Sequence, residues 1–307
     1  MYVIKEYLDK YGELHRPHEL GPARIWSNNT QEYWEHGKCH RPNEFGPAII
    51  ESDGSQFYYE NGKRHRPVEL GPAIIKSDGS QFYYEYGLFH RPAELGPAYS
   101  GSNGYQAYYE NGERHRPHEL GPAIICADGD QEYWENGKRH RPHELGPAII
   151  LSNGDQYYYE HGKRHRPHEL GPAYIRSNCN QSYWENGKLH RPVELGPSRI
   201  WSNGDQEYYE NGKRHRPAEL GPAIICADGY QAYYEHGIKK PLKEFQSIYK
   251  IQRWFRWQRF VNKYRDLFEK VLGLPANHDS ALGRMYPKGG DFYKETYKSL
   301  QNVLESF

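Results

Sequence analysis

The side chains able to do chemistry in this chain recur at a fixed interval instead of converging on one place. The tripeptide His-Arg-Pro occurs nine times, starting at His15, His40, His65, His90, His115, His140, His165, His190 and His215, with every gap equal to 25 residues. Each copy continues as Arg-Pro-x-Glu, from Arg16 and Glu19 to Arg216 and Glu219. Imidazoles invite a metal and guanidinium groups invite phosphate. Spacing and charge weaken both ideas. Zinc needs nitrogens ~2.0–2.1 Å away, whereas equivalent atoms two sheet strands apart are separated by roughly 10 Å. The second His of the His115–His118 pair becomes Asn43, Val68, Ala93, Val193 or Ala218 in other copies. A metal site is therefore not expected, and no cofactor is expected either.

A guanidinium row for phosphates meets a different objection. The matching carboxylates compete for it, and residues 1–238 carry a net charge of −7, which repels a polyanion. The composition thus argues against nucleic acid. Arg–Glu pairs that fix loop geometry are expected instead, each exposed pair worth ~0–1 kcal/mol. Catalysis needs one distinctive pocket with perturbed groups; nine near-equivalent settings, with no glycine-rich phosphate loop or nucleophile elbow, point to a protein that is not an enzyme.

The elements that position these residues follow from the period. An uninterrupted repeat of this length marks an array whose units bury their apolar faces against their neighbours. Residues 46–70 read GPAIIESDGSQFYYENGKRHRPVEL, with Asp53-Gly54 and Asn61-Gly62 as turn signals. Ala48 to Ser52 and Ser55 to Glu60 are the two predicted short strands of the unit. Pro67 and Pro72 lie off the central sheet, because proline donates no ladder hydrogen bond. Ala48 and Ile50 barely vary between copies while Ile49 and Glu51 wander, the period of a half-buried strand. A two-residue Asp-Gly loop sets Ile50 against Phe57 and Ala48 against Tyr59; a three-residue loop exchanges the faces of the second strand. With 29 Tyr and 7 Trp but a mean hydropathy of −1.05, the chain suits a folded, shallow structure in which tyrosine rings pack and their hydroxyls stay wet. The repeat-structural residues are represented by Tyr58, Tyr59, His65, Arg66 and Glu69.

Tyr133–His140, YWENGKRH, preceded by ADGDQ at Ala127–Gln131, resembles the MORN repeat, an aromatic strand followed by Asn-Gly-Lys-x-His and an Asp-Gly turn. The resemblance covers roughly residues 7–238. It departs at the loop, where Arg141-Pro142-His143-Glu144-Leu145-Gly146-Pro147 replaces the family's His-Gly-x-Gly. It is similar to a divergent class associated with large DNA viruses and bacteriophages. The resemblance implies an elongated single-layer antiparallel sheet, an all-β array over 1–238, spanning on the order of 85 Å for nine units.

Residues 239–307 form the second predicted region, a helical C-terminal cap. Residues 239–272 carry +7, and Trp254, Trp257, Val261, Tyr264, Phe268 and Val271 step by three or four residues, which places them on one helical face. A second short helix is predicted after Gly289-Gly290, with Asp291 as N-cap. The cap covers an open sheet edge. Arg253, Trp254, Arg256, Trp257, Arg259 and Lys263 are also candidates for docking an acidic partner or a membrane surface. At the other edge, Asp9 and Lys10 are expected to discourage strand addition, and end-to-end self-association is open to the array. Cys39, Cys126, Cys179 and Cys226 form no C-x-x-C pair and read as free thiols of a reducing compartment. MYVIKEYLDKYGELH has no signal-peptide core and no stretch is long enough to span a membrane, so the expected setting is intracellular: host cytoplasm or virion. The expected role is a non-enzymatic scaffold that makes protein–protein contacts, with a peripheral membrane adaptor as the alternative.

Overall fold

The computed structural model describes residues 1–241, and within them the chain repeats a unit of about 25 residues built from short antiparallel strands. In the unit that starts at Gly46, Ile49–Ile50 and Gln56–Phe57 pair with each other, and Phe57 then pairs with Ile74 of the next unit. Repetition of these two ladders makes a 20-stranded antiparallel sheet. Tyr59–Glu60 continues the second strand but pairs with Lys63–Arg64 in a separate two-stranded hairpin. Tyr58 sits at the corner between them, donating its N–H to the Ala73 carbonyl of the next unit at 2.7 Å.

Two turn types explain the two dipeptides. Asn61 and Gly62 both have positive φ, 52° and 79°, and join Glu60 to Lys63 as a two-residue hairpin loop. At Asp53-Gly54 the loop has three residues. Gly54 (φ 89°) donates to Glu51 and Glu51 donates to Ser55, so Ile49, not Ile50, faces Phe57, and Ile50 faces Gln56. Of the two loop lengths open to Asp53-Gly54, the three-residue one is formed. Asp53 favours the longer loop by accepting the Ser55 N–H at 2.8 Å in an Asx turn.

The core is a thin line of small and aromatic residues. The Ala48 position is wholly buried in all nine units, including Ser198, and the Tyr58 position is buried from Tyr33 to Tyr208. The expected alternation holds for Ala48 only. Ile50 and its equivalents are half-buried, whereas the variable neighbour is buried where it is Ile74, Ile124, Ile149 or Ile224.

The start of the chain completes the first unit. Val3–Glu6 pairs with Arg24–Trp26, and Asp9 accepts the backbone N–H groups of Tyr11 and Glu13 within a turn. Asp9 is thus a turn-former of the first unit. At the other end, Ile238–Lys240 closes the last hairpin against Tyr233, Tyr234 and Glu235. Among the described residues there is no α-helix; the helical elements are nine three-residue 3-10 turns, one per unit. The predicted helices, with Arg253, Trp254, Arg256, Trp257, Arg259 and Lys263, lie outside the described residues. No helix among the described residues is long and apolar enough to cross a membrane.

Candidate interaction surface

The loop that carries His-Arg-Pro is built around the arginine. Arg66 stacks its guanidinium over the Tyr58 ring of its own unit, 3.9 Å from the centroid, and donates to the Pro72 carbonyl at 3.1 Å. All nine units repeat this pair at 3.8–3.9 Å, from Arg16 over Tyr7 to Arg216 over Tyr208. All nine also donate to the proline carbonyl six residues on, at 2.9–3.1 Å. Gly71 makes the fold-back feasible. It has φ 110°, and a Cβ there would sit 3.3 Å from Arg66 Nη1. The backbone N–H of Arg66 reaches the Tyr84 carbonyl of the next unit at 3.2 Å, so the residue also ties two units together.

This arrangement replaces the expected row of Arg–Glu pairs. Among the described residues, no ion pair joins Arg66 to Glu69 or any equivalent couple. The arginine turns inward to an aromatic face and a carbonyl, while Glu69 rides outward on the 3-10 turn Val68–Leu70. A planar, weakly hydrated guanidinium is suited to such a half-buried stack.

The histidines are inter-unit clasps. His65 Nδ1 accepts the N–H of Tyr86, the first turn residue of the next hairpin, at 3.3 Å. The same bond recurs in all nine units at 3.1–3.3 Å. Accepting at Nδ1 places the neutral ring's proton on Nε2, which faces Glu60 at 3.4 Å in His65. His65 further stacks on Tyr86 at 4.3 Å, and His140 on His161 at 4.4 Å. Burial, followed by the neighbouring His161, holds the His140 pKa below its ordinary value. Tyr59 is half-buried and accepts from Arg64 Nε at 3.1 Å through its hydroxyl.

A second set of clasps, on the Asp-Gly side, was not legible in the sequence. Ser55 Oγ accepts the N–H of Ser77 in the next unit at 3.1 Å. Ser80, Asp130, Asp155, Asn180 and Asp205 do the same for their neighbours at 2.7–3.1 Å. The residue type changes from unit to unit while the acceptor oxygen stays, so no constant letter marks the position.

Among the described residues one group brings three potential metal ligands together, Glu210, His215 and His236. His215 Nε2 is 3.5 Å and His236 Nδ1 3.9 Å from Glu210 Oε2. The two rings stack 4.2 Å apart at 9°, so their in-plane lone pairs run side by side and do not converge on one ion. His236 would have to swing out for the three to act together, and the structure gives the pair the same clasp role as in other units.

What faces outward is different. The last residue of each 3-10 turn, Leu20, Phe45, Leu70, Leu95, Leu120, Leu145, Leu170, Leu195 or Leu220, is 40–64% exposed. The glutamate before it is exposed in every unit. The sequence signal for this row was a large apolar residue in every unit, Leu in eight and Phe45 in one, within a Pro/Gly-bounded loop where no strand could bury it. No known family profile matches the chain, and no curated protein matches it.

Proposed function

We propose that the protein is a non-enzymatic scaffold whose repeated surface mediates protein–protein contacts. One observation carries this reading: the chemically active groups of all nine His-Arg-Pro loops are used inside the array, while a repeated Glu–Leu face is left to solvent. A large exposed apolar residue at every repeat is the mark of an interaction surface more than of a reaction centre. The repeat is of the kind a divergent MORN-like array would have, and the proposed setting is a viral particle or an infected cell. A second reading, a peripheral membrane adaptor, is supported by the basic residues beside Trp254 and Trp257.

Affinity recovery of the full chain from its source, with and without detergent, tests the proposal. A protein partner retained in fixed stoichiometry after detergent is expected. Recovery only with anionic vesicles, abolished by Trp254→Ala with Trp257→Ala, would replace the scaffold reading by the membrane one.

A further inference from the structure

We infer that the exposed Glu–Leu row is a docking track for a basic amphipathic helix of a partner protein that presents an apolar residue once per heptad. This rests on the scaffold reading and specifies its surface and partner.

The row runs through all nine units from Leu20 to Leu220, each member at least 40% exposed. The fold does not need these side chains: none belongs to a buried cluster, and the turn is held by main-chain bonds, Leu70 to Pro67 and Gly71 to Val68 in one unit. Charge defines the partner. An exposed glutamate precedes every apolar residue, and Glu44, Glu69, Glu94, Glu194 and Glu219 have no ion pair or hydrogen bond among the described residues. Glu19, Glu119, Glu144 and Glu169 pair only with the adjacent histidine and stay 61–68% exposed. A row of exposed carboxylates, five of them unpaired, repels anionic lipid, and it equally repels the same row on a second copy.

Spacing defines the partner's form. Successive units are two strands apart, roughly 9.6 Å. A helix advances about 10.5 Å per heptad, so one apolar residue per heptad stays in step over three or four units. An extended peptide could match the spacing, but it docks through a continuous main-chain ladder, which a three-residue 3-10 turn recurring once per unit does not present. The N–H groups of Leu70 and Gly71 are already donated to Pro67 and Val68. A helix satisfies its own main chain and needs only the leucines and glutamates.

The test is fluorescence anisotropy of a labelled synthetic helix of roughly four heptads, with leucine on one face flanked by arginine, added to the full chain. Three further probes accompany it: the same composition with the leucine period broken, a version with glutamate for arginine, and mixed phosphatidylcholine–phosphatidylserine vesicles. The in-register basic helix is expected to bind. Leu95→Ser with Leu120→Ser and Leu145→Ser should weaken it by at least ~10-fold, with the circular dichroism spectrum unchanged. Glu94→Lys with Glu119→Lys and Glu144→Lys should weaken it too. Equal binding of the broken-period helix, unchanged affinity of the leucine variant, or leucine-dependent vesicle binding would each overturn the inference. If the leucine variant still retains the cellular partner, the track assignment fails while the scaffold reading stands.

Discussion

Arg66 and Tyr58 meet with guanidinium and ring centroid 3.9 Å apart, and the same contact is made in every one of the nine units. The guanidinium lies over the tyrosine ring, one Nη reaches a carbonyl in its own loop, and its backbone N–H reaches the neighbouring unit. A single residue thus closes a loop, covers the core and joins two repeats. The consequences for stability can be checked position by position.

Gly71 holds the loop in the left-handed region at φ 110°, with Arg66 Nη1 where a Cβ would press. Gly71→Ala should cost about 1–3 kcal/mol, through backbone strain and displacement of the guanidinium. Urea unfolding of the full chain reads this directly. Gly54→Ala, with nothing within 4 Å of its Cβ but φ 89°, should cost less than Gly71→Ala because only the backbone term applies.

Ser55 is fully buried and accepts the Ser77 N–H of the next unit. Ser55→Ala leaves that donor without a partner and should destabilise by about 1–2 kcal/mol. Ser55→Asn should restore most of the loss, since Asn180 serves the same position in its own unit. An equal loss for both variants would remove the clasp from the account.

Stability should fall with acidity in two windows. The folded-state pKa of His140 is depressed from 6.5 by burial, so the folded chain binds fewer protons there than the unfolded one. Its contribution is complete above about pH 6.5 and is lost as pH falls through the lower folded value. Asp53 and Asp78 are depressed from 3.8, first by the N–H bonds of Ser55 and Ser80. Their contribution is present above about pH 4 and is lost as pH falls further. Tm measured against pH should drop in both ranges, and His140→Gln should flatten the upper one.

The cysteines should react in order of exposure. Cys39 is buried and its thiol is pushed up to about 12 by burial, then by Glu32, so it should resist iodoacetamide until the chain unfolds. Cys179 is exposed and occupies the glycine position of its turn at φ 68°. It should label first, and Cys179→Gly should stabilise by roughly 0.5–1 kcal/mol by relieving the left-handed strain. Mass mapping of labelled peptides, together with one unfolding curve, checks both.

Periodicity and turn dipeptides were enough to place the repeat, the strand-rich unit and the turn at Asn61-Gly62, because each depends on local backbone preference, but not the extra strand Lys63–Arg64 that the turn pairs with Tyr59–Glu60. The Asp-Gly loop length was not legible, since Asp-Gly serves two- and three-residue loops alike and the Asx bond to Ser55 favours the longer one. The role of Arg66 was misread from its neighbour in sequence. Glu69 is three residues away, but the partner, Tyr58, is eight residues back across a hairpin; the tyrosine recurs there in the eight units from Tyr33 to Tyr208, with Tyr7, nine residues before Arg16, in the first, and that recurrence was the available signal. The Leu70 row was visible as letters but not as surface, because exposure depends on where the 3-10 turn points.

The central claim is that His-Arg-Pro loops hold the array together through the arginine–tyrosine stack. A double-mutant cycle with Arg141→Ala and Tyr133→Leu, 3.9 Å apart in a central unit, measures it by urea unfolding of the full chain. Coupling of about 0.5–2 kcal/mol is predicted, with Tyr133→Phe nearly neutral because the ring face remains. Additive losses, with no coupling between the two positions, would contradict the account.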